Sequence, residues 1–217
     1  MLKSKRIALI PMSRYCLQCG KANNACICDW IKPIDCSIRV VILQHPSESK
    51  RPMGTAKILQ LSLSQCDIWV GEDFSQHPEL NVLLQDEQTE SLILYPSDNS
   101  QSLESVALRC DELSAENKRL CLILLDGTWK KAYKMWQLSS NLHSLPCVSL
   151  PSHLQGNYRI RKAPTEQHLS TVEAGFHALS AIKPQVDFSP LVTAFTNMVD
   201  FQISQMPEGV FERNYNT

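Results

Sequence analysis

Four cysteines near the start of the sequence have the spacing of a metal site. They occur as Cys16-x2-Cys19-x6-Cys26-x-Cys28, which places four thiols within thirteen residues. Soft thiolates in a tetrahedral set select zinc, and an all-cysteine site leaves no position open for catalysis. The spacing therefore predicts a structural zinc knuckle with four cysteine ligands, the alternative being four unrelated buried cysteines. The neighbouring Lys21 favours the thiolate form and could also face a phosphate.

A second candidate is Asp126, which ends an apolar run and is followed by Gly127-Thr128-Trp129. A carboxylate at the end of a buried strand is partly desolvated, which raises its basicity and suits a general base. The alternative is a turn or a helix cap, because Asp and Thr both cap helices well. The residue types leave both interpretations open.

An aromatic stripe with helical period follows Asp126, and lysines lie beside it. The aromatic residues are Trp129, Tyr133 and Trp136, and the lysines are Lys130, Lys131 and Lys134. A stripe of this period is typical of core packing. The alternative is that the aromatic rings stack on nucleic-acid bases while the lysines contact phosphates.

Three further motifs are polar or cationic. Arg159, Arg161 and Lys162 lie close together, which suits an anionic ligand but also a solvated loop. Ser170 and Glu173 have the spacing of a capping box, so a helix is predicted to begin there, and helix starts offer N–H groups to anions. His45-Pro46-x-Glu48 by itself indicates only a turn after a strand.

The charges are unevenly distributed along the chain. The formal net charge of −1 combines +5 over residues 1–39, −7 over 40–104, −1 over 105–126, +5 over 127–183 and −3 over 184–217. Two basic segments of this kind are the expected footprint of a protein that binds a polyanion, provided that they meet in space. The alternative is that basic and acidic segments neutralise each other across the surface.

Several classes of protein are excluded or disfavoured. Only seven glycines occur, and no two are separated by one residue, so the dinucleotide-binding and P-loop motifs are absent. No apolar run approaches the ~20 residues of a membrane span. The apolar run before Pro11 is four residues long, too short for a signal peptide. We therefore expect a cytoplasmic protein with reduced cysteines and no membrane partner.

The predicted strands and helices that must position these residues alternate along the chain. Apolar, β-branched runs over 37–43, 67–70, 91–95, 120–125 and 147–150 predict strands, and helical periodicity lies between and after them over 55–64, 80–85, 103–113, 129–138, 169–182 and 191–203. This alternation predicts an α/β fold with a mainly parallel sheet and flanking helices. Ligands of such sheets bind at the carboxyl ends of strands, where Asp126 and the His45 motif fall.

Taken together and in order, these motifs resemble the DTW-domain family. The residues that carry the resemblance are Cys16-x2-Cys19, Cys26-x-Cys28, His45-Pro46-x-Glu48, Asp126-x-Thr128-Trp129, Arg161-Lys162-x-Pro164 and Leu169-Ser170-Thr171-x-Glu173-Ala174. They extend over about three quarters of the chain. The combination of the D-x-T-W and L-S-T-x-E-A motifs is specific, whereas each alone would be weak.

The resemblance implies a tRNA-uridine aminocarboxypropyltransferase of bacterial type. Such an enzyme transfers the 3-amino-3-carboxypropyl group of S-adenosylmethionine to N3 of a tRNA uridine, with position 47 of the variable loop expected, and releases methylthioadenosine. A SPOUT-like, possibly knotted, catalytic domain over 37–217 is implied, preceded by the zinc knuckle in residues 1–36. A monomer and a homodimer both stay open. The alternatives are a SPOUT-type RNA methyltransferase and a non-catalytic zinc-knuckle RNA-binding protein.

Roles for individual residues are inferred beyond the motif match. Catalysis is assigned to Asp126, Thr128 and Trp129. Binding of the S-adenosylmethionine co-substrate is assigned to His45, Pro46, Glu48, Leu125, Arg161, Pro164, Ser170, Thr171 and Glu173. RNA binding is assigned to Lys130, Lys131, Lys134, Arg159 and Lys162, and structural zinc binding to Cys16, Cys19, Cys26 and Cys28.

Overall fold

A computed structural model describes residues 13–151, 154 and 169–215. Strands and helices alternate through most of this part of the chain. The strands are β1 (Arg39–Gln44), β2 (Cys66–Val70), β3 (Thr89–Leu94), β4 (Arg119–Asp126) and β5 (Cys147–Val148). The helices are α1 (Ala56–Ser62), α2 (Pro78–Leu84), α3 (Leu103–Ala115), α4 (Trp129–Leu138), α5 (Thr171–Ile182), α6 (Ser189–Ser204) and α7 (Val210–Tyr215), with short 3₁₀ turns at Asn23–Ala25, Cys28–Trp30 and Ser140–Leu142.

The strands form one five-stranded sheet in the order β2-β1-β4-β3-β5. Every pairing that joins these five strands is parallel. The α/β class with a parallel sheet and flanking helices is therefore confirmed, whereas a SPOUT-like or knotted path stays a prediction. The central strand β4 is buried along most of its length, as its uninterrupted apolar sequence predicts.

The sheet order creates a crevice between β1 and β4. The chain leaves β1 through α1 toward β2 at one edge, and it leaves β4 through α4 toward β5 at the other edge. Adjacent strands whose connections diverge in this way open a crevice at their carboxyl ends, where ligands bind in open α/β sheets. The register pairs the last residues of the two strands, Gln44 and Asp126.

Alternate residues of the central strands enter two separate cores. Val40 and Ile42 pack into a cluster formed with α1, α3, α5 and α6, whereas Val41 and Leu43 pack on the opposite face against α2 and α4. The cysteine-rich segment belongs to the first cluster through the buried side chain of Ile27 and through Cys19. The predicted division after residue 36 stays a prediction. None of the described helices is long and apolar enough to span a bilayer.

The start of α5 is brought to the crevice because α5 packs closely on α1. Gly175 lies in the first half of α5, and a Cβ at this position would be 2.9 Å from Cδ2 of Leu59. Leu59 is itself fully buried, so it has little room to move. A glycine at this point lets the two helices approach.

We predict that Gly175→Val lowers the free energy of unfolding by about 1–3 kcal/mol, the usual cost of overpacking a core. Ala181→Val on the exposed side of the same helix is the matched control, and its effect should stay within about 0.5 kcal/mol. Urea unfolding measures both values. Equal effects of the two substitutions would contradict the close approach of α5 and α1.

Candidate active site

Asp126 is held by neighbours from two other elements. Its carboxylate is nearly buried, with 9% of the residue exposed. The amide Nε2 of Gln44, at the end of β1, donates a hydrogen bond of 2.7 Å to Oδ2. The hydroxyl of Thr171, at the start of α5, donates to Oδ1. These bonds orient the carboxylate where β1, β4 and α5 meet.

Asp126 and Thr128 of this motif have different places at the start of α4. The N-cap of α4 is Thr128, not Asp126, and the Thr128 side chain accepts no hydrogen bond from the helix. Asp126 instead uses its carboxylate across the sheet and toward α5. The motif therefore does supply the N-cap of α4, at Thr128, but without a side-chain hydrogen bond to the helix.

The start of α5 is rigidly built. Ser170 is the N-cap: its hydroxyl accepts from the Glu173 N–H at 3.4 Å, and the Glu173 carboxylate accepts from the Ser170 N–H at 2.7 Å. The predicted capping box is thus confirmed. The Val172 N–H donates to Oγ1 of Thr55 at 3.3 Å, which joins α5 to the segment before α1. Together these bonds fix Thr171 beside Asp126.

A cavity of about 620 Å³ lies over Asp126 at the carboxyl ends of the strands. Its size suits a small-molecule ligand. Apolar side chains such as Leu125 and Val148 form part of the wall, and Asp126, Thr55 and Thr171 contribute polar groups. The arrangement combines an apolar surface, an oriented carboxylate and a helix start, which favours anions.

The four N-terminal cysteines converge, as their spacing predicts. Their sulfur atoms all lie within 4.8 Å of one another. The Cys16–Cys28 and Cys19–Cys26 sulfur pairs are each 3.7 Å apart. Tetrahedral thiolates about 2.3 Å from a zinc ion lie about 3.8 Å apart, so the cluster fits a metal ion of this size.

The thiols of this cluster differ in acidity. Backbone N–H groups of Cys19 and Gln18 lower the pKa of Cys16 to about 6, whereas burial raises the pKa of Cys28. A metal ion must therefore displace protons from the more basic thiols, so that its affinity rises with pH.

The sequence profile of the DTW domain matches residues 13–203. This match covers both the cysteine cluster and the Asp126 site. The chain belongs to the DTW-domain family. No solved structure matches it.

Three curated relatives of this DTW protein are each named "tRNA-uridine aminocarboxypropyltransferase 2". The Drosophila melanogaster relative is 33% identical over 196 residues, which cover 87% of this chain and 74% of the relative. The Mus musculus and Macaca fascicularis relatives are 28% and 30% identical, and each match covers 77% of this chain. The chain spans only 56% of the length of these two mammalian relatives.

The predicted ligand-binding residues of the DTW protein fall into three groups by their position relative to the cavity. Those that line the cavity are Glu48, Leu125, Ser170 and Thr171. The second group does not line the cavity. In it, Glu173 accepts a hydrogen bond from the Ser170 hydroxyl, Nε2 of His45 lies 3.0 Å from Oε1 of Glu72, and Pro46 is exposed. Those outside the described residues are Arg159, Arg161, Lys162 and Pro164.

Two of the three predicted RNA-binding lysines on α4 are engaged by carboxylates. Lys131 pairs with Glu48 at 2.8 Å, and Lys134 pairs with Glu72 at 2.9 Å. The hydrogen bond from Lys134, and to a smaller extent the one from His45, lowers the pKa of Glu72. Lys130 is exposed and makes no ion pair with any residue of the described chain. It is the α4 cation with the greatest freedom to contact a phosphate.

The aromatic stripe of α4 divides into two parts. Trp136 stacks on Tyr95, with ring centroids 4.8 Å apart and planes inclined by 11°. Trp129 and Tyr133, in contrast, are 53% and 58% exposed, and Trp129 lines the cavity. Core packing is therefore right for Trp136 and wrong for the other two.

Two residues of the site were given no role by the sequence patterns, although Gln44 directly precedes the His45 motif at the end of its strand. Gln44 ends an apolar strand, and a polar residue next to such a run is a signal that could have indicated it. Thr55 carries no comparable signal, because its partner Val172 is 117 residues away in the chain.

We predict that the purified DTW protein carries about one metal ion per chain, as a closed four-thiolate site requires. Cys26→Ser should reduce this content, since it removes one ligand of the cluster. Cys147→Ser in β5 is the control and should leave the content unchanged. Elemental analysis measures the metal. A folded, metal-free wild-type protein would contradict the site.

Proposed function

We propose that this DTW protein is a tRNA-uridine aminocarboxypropyltransferase that uses S-adenosylmethionine as its donor. The names of its relatives support this activity. The observation that carries the proposal is the buried Asp126 carboxylate, oriented by Gln44 and Thr171 in a cavity large enough for a small-molecule donor.

The reaction requires a base. When bound, S-adenosylmethionine supplies a carbon that is activated by its bond to a sulfonium sulfur. Asp126 takes the N3 proton of the uridine, and N3 forms a bond to that carbon. The carbon–sulfur bond breaks, its electron pair stays on sulfur, and methylthioadenosine leaves.

Asp126 suits this step by its geometry. The bonds from Gln44 and Thr171 orient the carboxylate, which has about four lone-pair sites. General-base assistance of this kind contributes roughly 10²–10⁴ in rate. Trp129 lies in the cavity wall with half of its surface exposed, which supports a role in stacking on the uridine. Thr128 is the N-cap residue of α4 and directly precedes Trp129.

The donor site is assigned to the rest of the cavity. The start of α5 at Ser170 and Thr171 is assigned to the donor carboxylate, because the positive end of a helix dipole attracts anions. Leu125 supplies apolar surface for the adenosine part. Glu48 pairs with Arg51 and Lys131, which orders the opposite rim.

Zinc is the metal that we assign to the cysteine cluster. Four thiolates at tetrahedral spacing select zinc and leave no coordination site for substrate. The ion would supply folding energy, holding residues 16–28 together, and no catalytic step is assigned to it.

The tRNA is expected to approach along α4. Lys130 and Tyr133 are exposed one turn apart, next to the rim where Trp129 lies. Lysines beside exposed aromatic rings combine phosphate contact with base stacking. Lys131 and Lys134 join this surface only by exchanging their carboxylate partners for phosphates.

A methyltransferase would use the same cavity, donor and base, so the small-molecule product separates the two activities. Incubation with tRNA and S-adenosylmethionine should release methylthioadenosine. S-adenosylhomocysteine as the sole product would support methyl transfer instead. Binding of tRNA without either product would support the non-catalytic interpretation.

We predict that Asp126→Asn lowers the turnover rate by roughly 10²–10⁴, because the amide cannot accept the N3 proton. Asp73→Asn is the matched control: this exposed carboxylate follows β2 at the same end of the sheet. Steady-state release of methylthioadenosine measures both rates. Full activity of Asp126→Asn would exclude Asp126 as the base.

We predict that Lys130→Gln weakens tRNA binding and reduces the magnitude of its salt-dependence slope by about 1, the effect of losing one phosphate contact. Lys118→Gln, just before the amino end of β4, is the control and should leave the slope unchanged. Binding titrations at several salt concentrations measure the slope. An unchanged slope for Lys130→Gln would remove this residue from the interface.

A further inference from the structure

Lys21 extends from the cysteine cluster into the wall of the cavity. Only 9% of the residue is exposed, although lysine is normally a surface residue. Its ammonium Nζ donates to the carbonyl oxygens of Pro52 and Gly54, at 2.5 Å and 3.2 Å. In the described structure its nitrogen therefore contacts backbone carbonyls rather than facing outward toward a phosphate.

The segment that Lys21 contacts is part of the donor site. Met53, Gly54 and Thr55 all line the cavity. The segment belongs to no strand or helix, and the Lys21 bonds support it together with a turn in which the Gly54 N–H donates to the Arg51 carbonyl at 3.0 Å. Without Lys21, a stretch of cavity wall would lose two bonds of its support.

The same segment is connected to Asp126 through two hydrogen bonds. Thr55 accepts the Val172 N–H at the start of α5. Its neighbour Thr171 donates to Asp126. A continuous set of contacts thus runs from the cysteine cluster through Lys21 and residues 52–55 to the base.

The knuckle does not need the Lys21 side chain for its own attachment. Ile27 is fully buried in the main core, and Ile34 exchanges backbone hydrogen bonds with the end of α1: its N–H donates to the Ser62 carbonyl at 2.7 Å. The backbone carbonyl of Lys21, not its side chain, closes the turn with the Cys16 N–H at 2.8 Å. Removing the side chain therefore leaves these contacts in place.

We propose that Lys21 is a positioning residue for the donor site: its ammonium holds the Pro52–Gly54 carbonyls so that the cavity wall keeps its place relative to Asp126. Charge-assisted bonds to two carbonyls in a nearly buried place are stronger than ordinary surface contacts. The knuckle then serves the donor site as well as its own fold. The identity of the donor rests on the proposed function.

The test compares Lys21→Met, which keeps the length and removes the donors, with Lys50→Met, an exposed lysine just before the same segment. Lys21→Met should raise the dissociation constant for S-adenosylmethionine about tenfold, equivalent to ~1.4 kcal/mol. The KM for the donor should rise with it, while kcat and the dissociation constant for tRNA change much less. Lys50→Met should change none of these values.

Two further measurements identify the cause. The metal content of Lys21→Met should equal that of the wild type, and hydrogen exchange should accelerate in a peptide covering 48–56 but not in one covering β3. Lys21→Arg, which keeps a cation and its donors, should recover part of the affinity. Unchanged affinity and exchange in Lys21→Met, or loss of the metal together with affinity, would overturn the positioning role.

The test of Lys21 and the test of the proposed function can fail independently of each other. If the wild-type protein bound no S-adenosylmethionine, the proposed donor would be wrong. Exchange in the 48–56 peptide would still report whether Lys21 holds this segment. Normal donor binding and transfer with unchanged exchange in Lys21→Met would instead overturn the positioning role alone.

Discussion

The hydrogen bonds that Asp126 accepts from Gln44 and Thr171 are the interaction on which the site depends. They require three separate elements to end at one point. Parallel pairing aligns the ends of β1 and β4, so that Gln44 lies opposite Asp126. Close packing of α5 on α1 at Gly175 brings Thr171 to the same place. A shift in either arrangement would leave a nearly buried carboxylate without its partners, which is costly.

The two cores explain why a cavity lies at this point. Alternating residues of the central strands are covered on both faces by helices, so the faces of the sheet are closed to a ligand. The diverging connections from β1 and β4 then separate above Asp126 and produce the cavity. The cysteine cluster packs on the first core and reaches the cavity wall through Lys21.

Local patterns predicted much of this arrangement, because they depend on neighbours in the chain. The Cys16–Cys28 spacing, the capping box of α5 and the strand that ends at Asp126 are all features of this kind. The partner of Asp126 on β1 is 82 residues away, and its identity depends on a sheet order that periodicity does not contain. Likewise, the exposure of Trp129 follows from the cavity beside α4, whereas its helical spacing favours burial.

The central claim is that this site moves an aminocarboxypropyl group to uridine. The most direct measurement is nucleoside mass spectrometry of tRNA after reaction with S-adenosylmethionine that carries deuterium in its methyl group and carbon-13 in its aminocarboxypropyl chain. The account predicts one uridine that has gained the carbon-13 group and no deuterium, and sequencing of the fragment shows whether it lies in the variable loop or elsewhere. Deuterium on the tRNA without carbon-13 would contradict the account.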